Sequence, residues 1–262
     1  MSDLDRNYAS PFGRAAGRVD AATDAGLRAY MLRISNYMSI GLAITGLAAL
    51  GVYMAAVTAD PSAGVAKFGK EYLTSFGYAM YVSPLKWVFM LAPLAMVFAI
   101  SFGINRLKPA TAQLLFWAFA ALMGISLSSI FLVYTHTSIV RVFFITAASF
   151  GALSLYGYTT KRDMTGMGSF LLMGLFGIII ASVVNIFVAS SMLQFIVSVV
   201  GVLIFAGLTA YDTQRLKNDY IYGYASQGGD IAERAAITGA LSLYLNFINL
   251  FTLLLQLLGQ RE

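Results

Sequence analysis

Long apolar stretches alternate with short polar, charge-bearing segments along this chain. Charge-free windows cover residues 34–57, 87–104, 114–134, 142–158, 170–188, 195–211 and 237–258. The apolar core of a bilayer takes roughly 20 helical residues at 1.5 Å each, so every window predicts a spanning helix. The fourth and sixth are short for a full crossing and extend into their flanks. The pattern predicts an all-α polytopic membrane protein, a bundle of seven transmembrane helices. Residues 1–28 read as a tail ahead of it, soluble or partly helical, and residues 29–262 as the transmembrane domain. The tail has no apolar core of the kind a cleavable signal needs, so the first span is its own insertion signal.

Composition narrows the function. The chain is 59% hydrophobic and 11% charged, with no cysteine. Disulfides, thiolate catalysis and thiolate metal sites are therefore excluded. The net charge of +5 reads as membrane orientation, with no nucleic-acid partner. An amino terminus in the cytoplasm puts twelve Lys and Arg on that side against five opposite. That is the positive-inside pattern, and seven spans then leave the carboxyl terminus outside. The longest outer loop holds Asp60, Glu71 and the tyrosine-rich stretch 72–81. The loop closing on Gly228 and Gly229 faces the cytoplasm. The single histidine, His136, falls in a short outer loop with no acidic neighbour, and no nucleophile–base or nucleotide motif appears. The chain is not expected to be an enzyme or to hold a cofactor or resident metal.

Candidate chemistry concentrates near the carboxyl terminus. Asp212, in Tyr211-Asp212-Thr213-Gln214, is the acidic residue attached directly to an apolar run. An ionisable group at a membrane boundary is a functional-site hypothesis. Placed near a helix carboxyl end, where the macrodipole disfavours negative charge, it wants a cation. Arg106, closing the second span at similar depth, offers an interhelical latch that protonation would release. Arg215, three residues on, offers a local pair instead. Asn246 and Asn249 share one face of the last span. They either cross-link helices or line a polar path beside Asp212, to which Asn185, Ser126, Ser128 and Ser129 add polar atoms. The recurrent glycines of the first span read as close-packing positions, and Pro93 as a bend in the second.

Several stretches together resemble the Bax inhibitor-1 family, the transmembrane Bax-inhibitor-motif proteins, in its bacterial branch. They are Leu27-Arg28-Ala29-Tyr30-Met31-Leu32-Arg33, Asn36-Tyr37-Met38-Ser39-Ile40-Gly41-Leu42 and Gly124-Ile125-Ser126-Leu127-Ser128. Asn185, the Asp212 motif and residues 239–251 complete the set. The resemblance runs from about Leu27 to Gly259. It implies a compact seven-helix fold with the last helix surrounded by the others, in a bacterial inner membrane. It also implies a pH-sensitive calcium leak channel, with calcium as permeant ion. The family's sensor pairs two aspartates through an arginine. Asp212 matches the first aspartate and Arg106 the arginine, while Asn246 stands where the second aspartate would be. The expected gate is therefore Asp212, Arg106 and Asn246, with Asn249, Asn185 and Ser126 lining the path. An amide does not titrate, so Asp212 would respond alone. The alternative role is modulation of a membrane-anchored ATP-dependent protease, stress-protective and without transport.

Overall fold

A computed structural model of the chain describes residues 11–69, 71–103, 107–224 and 229–261, with side chains from Asp24 onward except Ser101. Arg106, Gly228 and the basic residues of the first 23 positions lie outside the described residues or side chains. Helix α1 spans Pro11–Ala56, 46 residues and roughly 70 Å at 1.5 Å each. It runs unbroken across the expected boundary between tail and first span. Strands β1 (Val57–Thr58), β2 (Ala66–Phe68) and β3 (Glu71–Leu73) follow, then α2 (Ser75–Tyr81) and α3 (Leu85–Gly103). The chain continues through α4 (Pro109–Leu127), α5 (Ile130–Val133), α6 (His136–Thr159), α7 (Thr165–Val188), α8 (Ser191–Tyr222) and α9 (Gly229–Leu258).

Among the described residues six spans, one of them α4 with its α5 extension, are long and apolar enough to cross a membrane. A seventh crossing requires α2 and α3 to count as one span, bent by 61°. The break falls at residues 82–84, which include Pro84, whereas α3 carries Pro93 inside an unbroken helix. The proline that matters is thus the one ahead of α3. The expected outer loop is also more ordered than its composition suggests. Glu71 and Tyr72 belong to β3, which sits centrally in an antiparallel sheet of order β1-β3-β2, and Thr74 caps α2 through its side chain.

Helix α9 is the most deeply buried span and packs on α1, α4, α6 and α8. Tyr244 is fully buried at its centre, edge-on to Phe116 and Phe119. Its hydroxyl lies 2.6 Å from Thr45 Oγ1, which itself meets the carbonyls of Gly41 and Ala120 at 2.9 and 2.8 Å. Thr45 has one hydroxyl proton and points it at these carbonyls, so Tyr244 donates to Thr45. Gly124 makes this contact feasible, because a side chain there would strike the Thr45 backbone.

The segment of α1 around Gly26 and Tyr30, the α6–α7 turn, the end of α8 and the start of α9 meet at one end of the bundle. Gln214 Nε2 donates to Arg162 O at 2.7 Å, Lys217 Nζ to Tyr158 O at 2.8 Å, and Gly26 abuts Tyr220. This is the arginine-rich end, with Arg28, Arg33, Arg162, Arg215 and Arg234. The α7–α8 turn and the end of α9 meet at the other.

Candidate functional site

Asp212 sits inside α8, 6% exposed, with about ten helical residues still to follow before Tyr222. It is therefore well away from the carboxyl end of its helix, and the expected macrodipole penalty, confined to the last turn, does not reach it. What holds the carboxylate is local and interhelical at once. Arg215 Nη2 lies 3.0 Å from Oδ1. Ser242 Oγ and Asn246 Nδ2, both from α9, donate to Oδ2 at 2.8 and 2.7 Å. One guanidinium and two neutral donors fit the ionised form, which accepts at both oxygens.

The local cation is thus in contact, and Arg215 also lies over the Tyr211 ring at 5.8 Å. Arg106 lies outside the described residues. Arg234 donates Nη1 to Leu107 O at 3.3 Å, tying the start of α9 to the α3–α4 link. The rest of the Asp212 motif is structural. Gly168 is the small residue that lets α7 pass the Tyr211 ring, and Thr213 bonds its own helix at Thr209 O. Gln214 staples the α6–α7 turn, accepting from Met164 N at 2.9 Å and donating to Arg162 O.

Asp212 heads a longer feature. Ser242, Asn246, Asn249, Thr252 and Gln256 succeed one another at helical spacings of three and four, so they share one face of α9. They line a groove of about 660 Å³ between α7, α8 and α9, whose α7 wall is apolar except for Ser182. From Ser242 to Gln256 the ladder rises roughly 21 Å, two-thirds of a bilayer's apolar core. At the far end Gln256 Oε1 accepts from Gln194 Nε2 at 2.6 Å and from Ser198 Oγ at 2.8 Å.

The structure therefore brings Asp212, Asn246 and Asn249 to one groove. Asn249 donates Nδ2 to Leu245 O of its own helix at 2.8 Å, which leaves its carbonyl oxygen for the groove. Asn185 stands at the remote end. It donates to Gln194 Oε1 at 3.2 Å and accepts from Ser190 N at 3.0 Å, bracing the α7–α8 turn where Ala189 adopts a φ of 51°. Ser126 is elsewhere, on a cavity of about 330 Å³ among α2, α3, α4 and α5. Its neighbour Ser128 accepts from the Tyr81 hydroxyl at 2.9 Å.

Ser242, Gln256, Gln194 and Ser198 escaped the sequence reading. The signal for the α9 pair was present, because polar residues recur at 242, 246, 249 and 256 within an otherwise apolar helix. Gln194 and Ser198 lie four apart on α8 and become informative only once α9 is placed beside them. No group of three or more His, Asp or Glu side chains arranged to hold a metal occurs among the described residues.

An all-α polytopic membrane protein built around a buried last helix, with a carboxylate clamped between its final two spans, is the class these observations define. The profile of the family described as "Inhibitor of apoptosis-promoting Bax1" matches residues 27–262. The chain belongs to this Bax inhibitor family. It is 44% identical over 261 residues to an uncharacterized protein of Caulobacter vibrioides, covering 99% of this chain and 98% of that one. It is 42% identical over 240 residues to the inner membrane protein YbhL of Escherichia coli K12, covering 91% and 94%. An uncharacterized protein of Rickettsia prowazekii is 44% identical over 239 residues, covering 91% and 92%.

Proposed function

We propose that this protein is a cation leak channel, with calcium as its permeant ion, and that cations move along the groove between α7, α8 and α9. In this reading the arginine-rich end faces the cytoplasm of a bacterial cell and the chain sits in the inner membrane. The observation that carries the proposal is the buried Asp212 carboxylate at the head of a polar ladder crossing an apolar bundle. A polar face in a span is expensive unless it packs against partners or lines water, and here much of it lies against the apolar wall of α7. A single carboxylate is too few ligands for tight calcium binding, which takes six to eight oxygens. The ladder is suited to passage, with side-chain oxygens meeting a largely hydrated ion in turn.

Gating belongs to Asp212, Asn246 and a guanidinium. Arg215 closes the groove's inner end by holding Asp212, and Arg106 is the family-implied second cation for the same carboxylate. Protonating Asp212 removes the charge that retains the arginine, so acidification opens the latch. Asn246 keeps its hydrogen bond without titrating, leaving one proton-sensitive group in the clamp. Two acids at the turns do not contribute to this response. Asp60 and Asp163 are both held below the usual carboxylate range by hydroxyl and amide donors, from Ser62 and Thr165 respectively. A lowered pKa keeps each ionised from mildly acidic to neutral pH.

The test is calcium flux into proteoliposomes from acidic to neutral pH for wild type, Asp212→Asn and Asn246→Asp. Wild-type flux rises as pH falls, Asp212→Asn loses that dependence, and Asn246→Asp steepens it. Folded protein with no flux above empty liposomes would overturn the channel reading. The protease-modulator role would then take its place, and deleting residues 2–28 would be its test.

A further inference from the structure

A further cavity, of about 300 Å³, lies at the arginine-rich end between α1, α8 and α9. Tyr30, Arg215, Asp219, Tyr224, Arg234 and Thr238 supply its polar atoms. Two observations single it out. Tyr30 is 5% exposed, yet among the described residues its hydroxyl has no hydrogen-bond partner. A buried O–H without an acceptor is destabilising, and such groups usually meet a ligand or water. The cavity's own lining also sets two guanidiniums, Arg215 and Arg234, against one carboxylate, Asp219, with the Tyr30 and Tyr224 hydroxyls beside them.

Arg215 is the residue this cavity shares with the transmembrane groove. It lies between two carboxylates on α8, Asp212 three residues before it and Asp219 four residues after. Helical neighbours at these spacings face one another. Asp212 holds Arg215 at 3.0 Å, so the guanidinium separates the two spaces.

We propose that the cavity binds a phosphate or phosphate-monoester group between Arg215 and Arg234, with the Tyr30 hydroxyl donating to one of its oxygens. Asp219 decides which oxyanion enters. It repels an anion that carries no proton, such as sulfate or a phosphodiester. A phosphate group has its second pKa near 6, so its monoprotonated form presents one P–OH that donates to the Asp219 carboxylate while its other oxygens face the arginines. The bound group draws Arg215 away from Asp212 and so frees the inner end of the groove. That last coupling rests on the groove being the ion path, whereas binding does not.

The binding test is thermal unfolding of the purified chain in detergent with inorganic phosphate, against sulfate at equal ionic strength. Phosphate raises the midpoint and sulfate does not. Arg234→Gln weakens the half-maximal phosphate effect about tenfold or more, as loss of a charged hydrogen bond requires. Asp219→Asn, at an exposed position that folding tolerates, erases the preference by admitting sulfate. Bilayer discs containing phosphatidate, a lipid monoester, distinguish the source. Protection by phosphatidate but not by inorganic phosphate, still sensitive to Arg234→Gln, assigns the site to a headgroup. Equal protection by sulfate and phosphate in wild type, or protection indifferent to both substitutions, overturns the proposal.

The coupling is read without ion flux, in a chain that has no native cysteine. Asn249→Cys reacts faster with an impermeant thiol reagent when phosphate is bound, and Arg234→Gln removes the acceleration. Phosphate binding with an unchanged thiol rate would keep the site and reject the link to the groove.

Discussion

On the side of α9 that meets α1 and α4, Tyr244 is sealed between Phe116, Phe119 and the Thr45 hydroxyl, with ring centroids 5.8 and 5.5 Å away. On the opposite side Ser242, Asn246, Asn249 and Gln256 face a groove of about 660 Å³. The two sets are offset by two residues, roughly 200° around the helix. One helix therefore anchors a closed core and lines an open groove, because its aromatic and polar residues follow the same period in opposite phase. Rigidity comes from the first face, which fixes where the second one points. Function in this bundle is a matter of phase around α9 more than of composition along it.

Overfilling the sealed face should have the largest effect. Gly124→Leu drives a side chain into the Thr45 backbone, and should destabilise by about 3 kcal/mol, the upper part of the overpacking range. Gly46, also a span glycine, faces open space, so Gly46→Ala should stay within about 0.5 kcal/mol of wild type. Unfolding midpoints in detergent read both. Equal effects would mean that the α1–α4 contact is not the rigid half of the comparison.

Next in size is the head of the polar face. Asp212→Ala leaves Arg215, Ser242 and Asn246 without their shared acceptor. Unsatisfied donors of this kind cost about 1–3 kcal/mol, and the partial exposure of Arg215 keeps the total near the middle of that range. Asp212→Asn should lose less, since its amide oxygen still accepts one bond. On the sealed face, Tyr244→Phe removes a single buried hydrogen bond and should cost about 1 kcal/mol. If Tyr244→Phe proved the more damaging, the clamp would be an exposed surface pair rather than a buried junction.

Much of this architecture is legible in the chain because the bilayer leaves little choice. Every spanning backbone must satisfy itself as helix, so charge-free windows map almost directly onto α1, α4, α6, α7, α8 and α9. The second window fails as a simple helix because the break lies at Val82-Ser83-Pro84, just before it begins. Asp212 stands out as an acid on an apolar run, and its contact with Asn246 follows from the family resemblance and one shared face. The sequence allows both a local and a distant cation for Asp212, and the fold shows the local one, Arg215, in contact. The remote network of Asn185, Gln194 and Gln256 joins three helices, with Gln194 and Gln256 62 residues apart, and no local pattern carries that pairing. Ser126 misleads for the converse reason, since a serine in a span looks alike whether it faces the groove or another cavity.

The smallest stability effect is the most informative about the open face. Asn249 spends its amide on Leu245 O within its own helix, and its neighbours across the groove are the aliphatic side chains of α7. Asn249→Leu therefore breaks no interhelical bond and adds apolar contact, so stability should change by less than about 0.5 kcal/mol. Were the ladder mere packing, calcium flux would be equally indifferent. If ions pass along this face, an aliphatic group roughly midway through the ladder removes an oxygen and narrows the space, and flux should drop severalfold at unchanged stability. Flux and stability moving together would return Asn249 to the packing role, and the wet face of α9 would then end at Asn246.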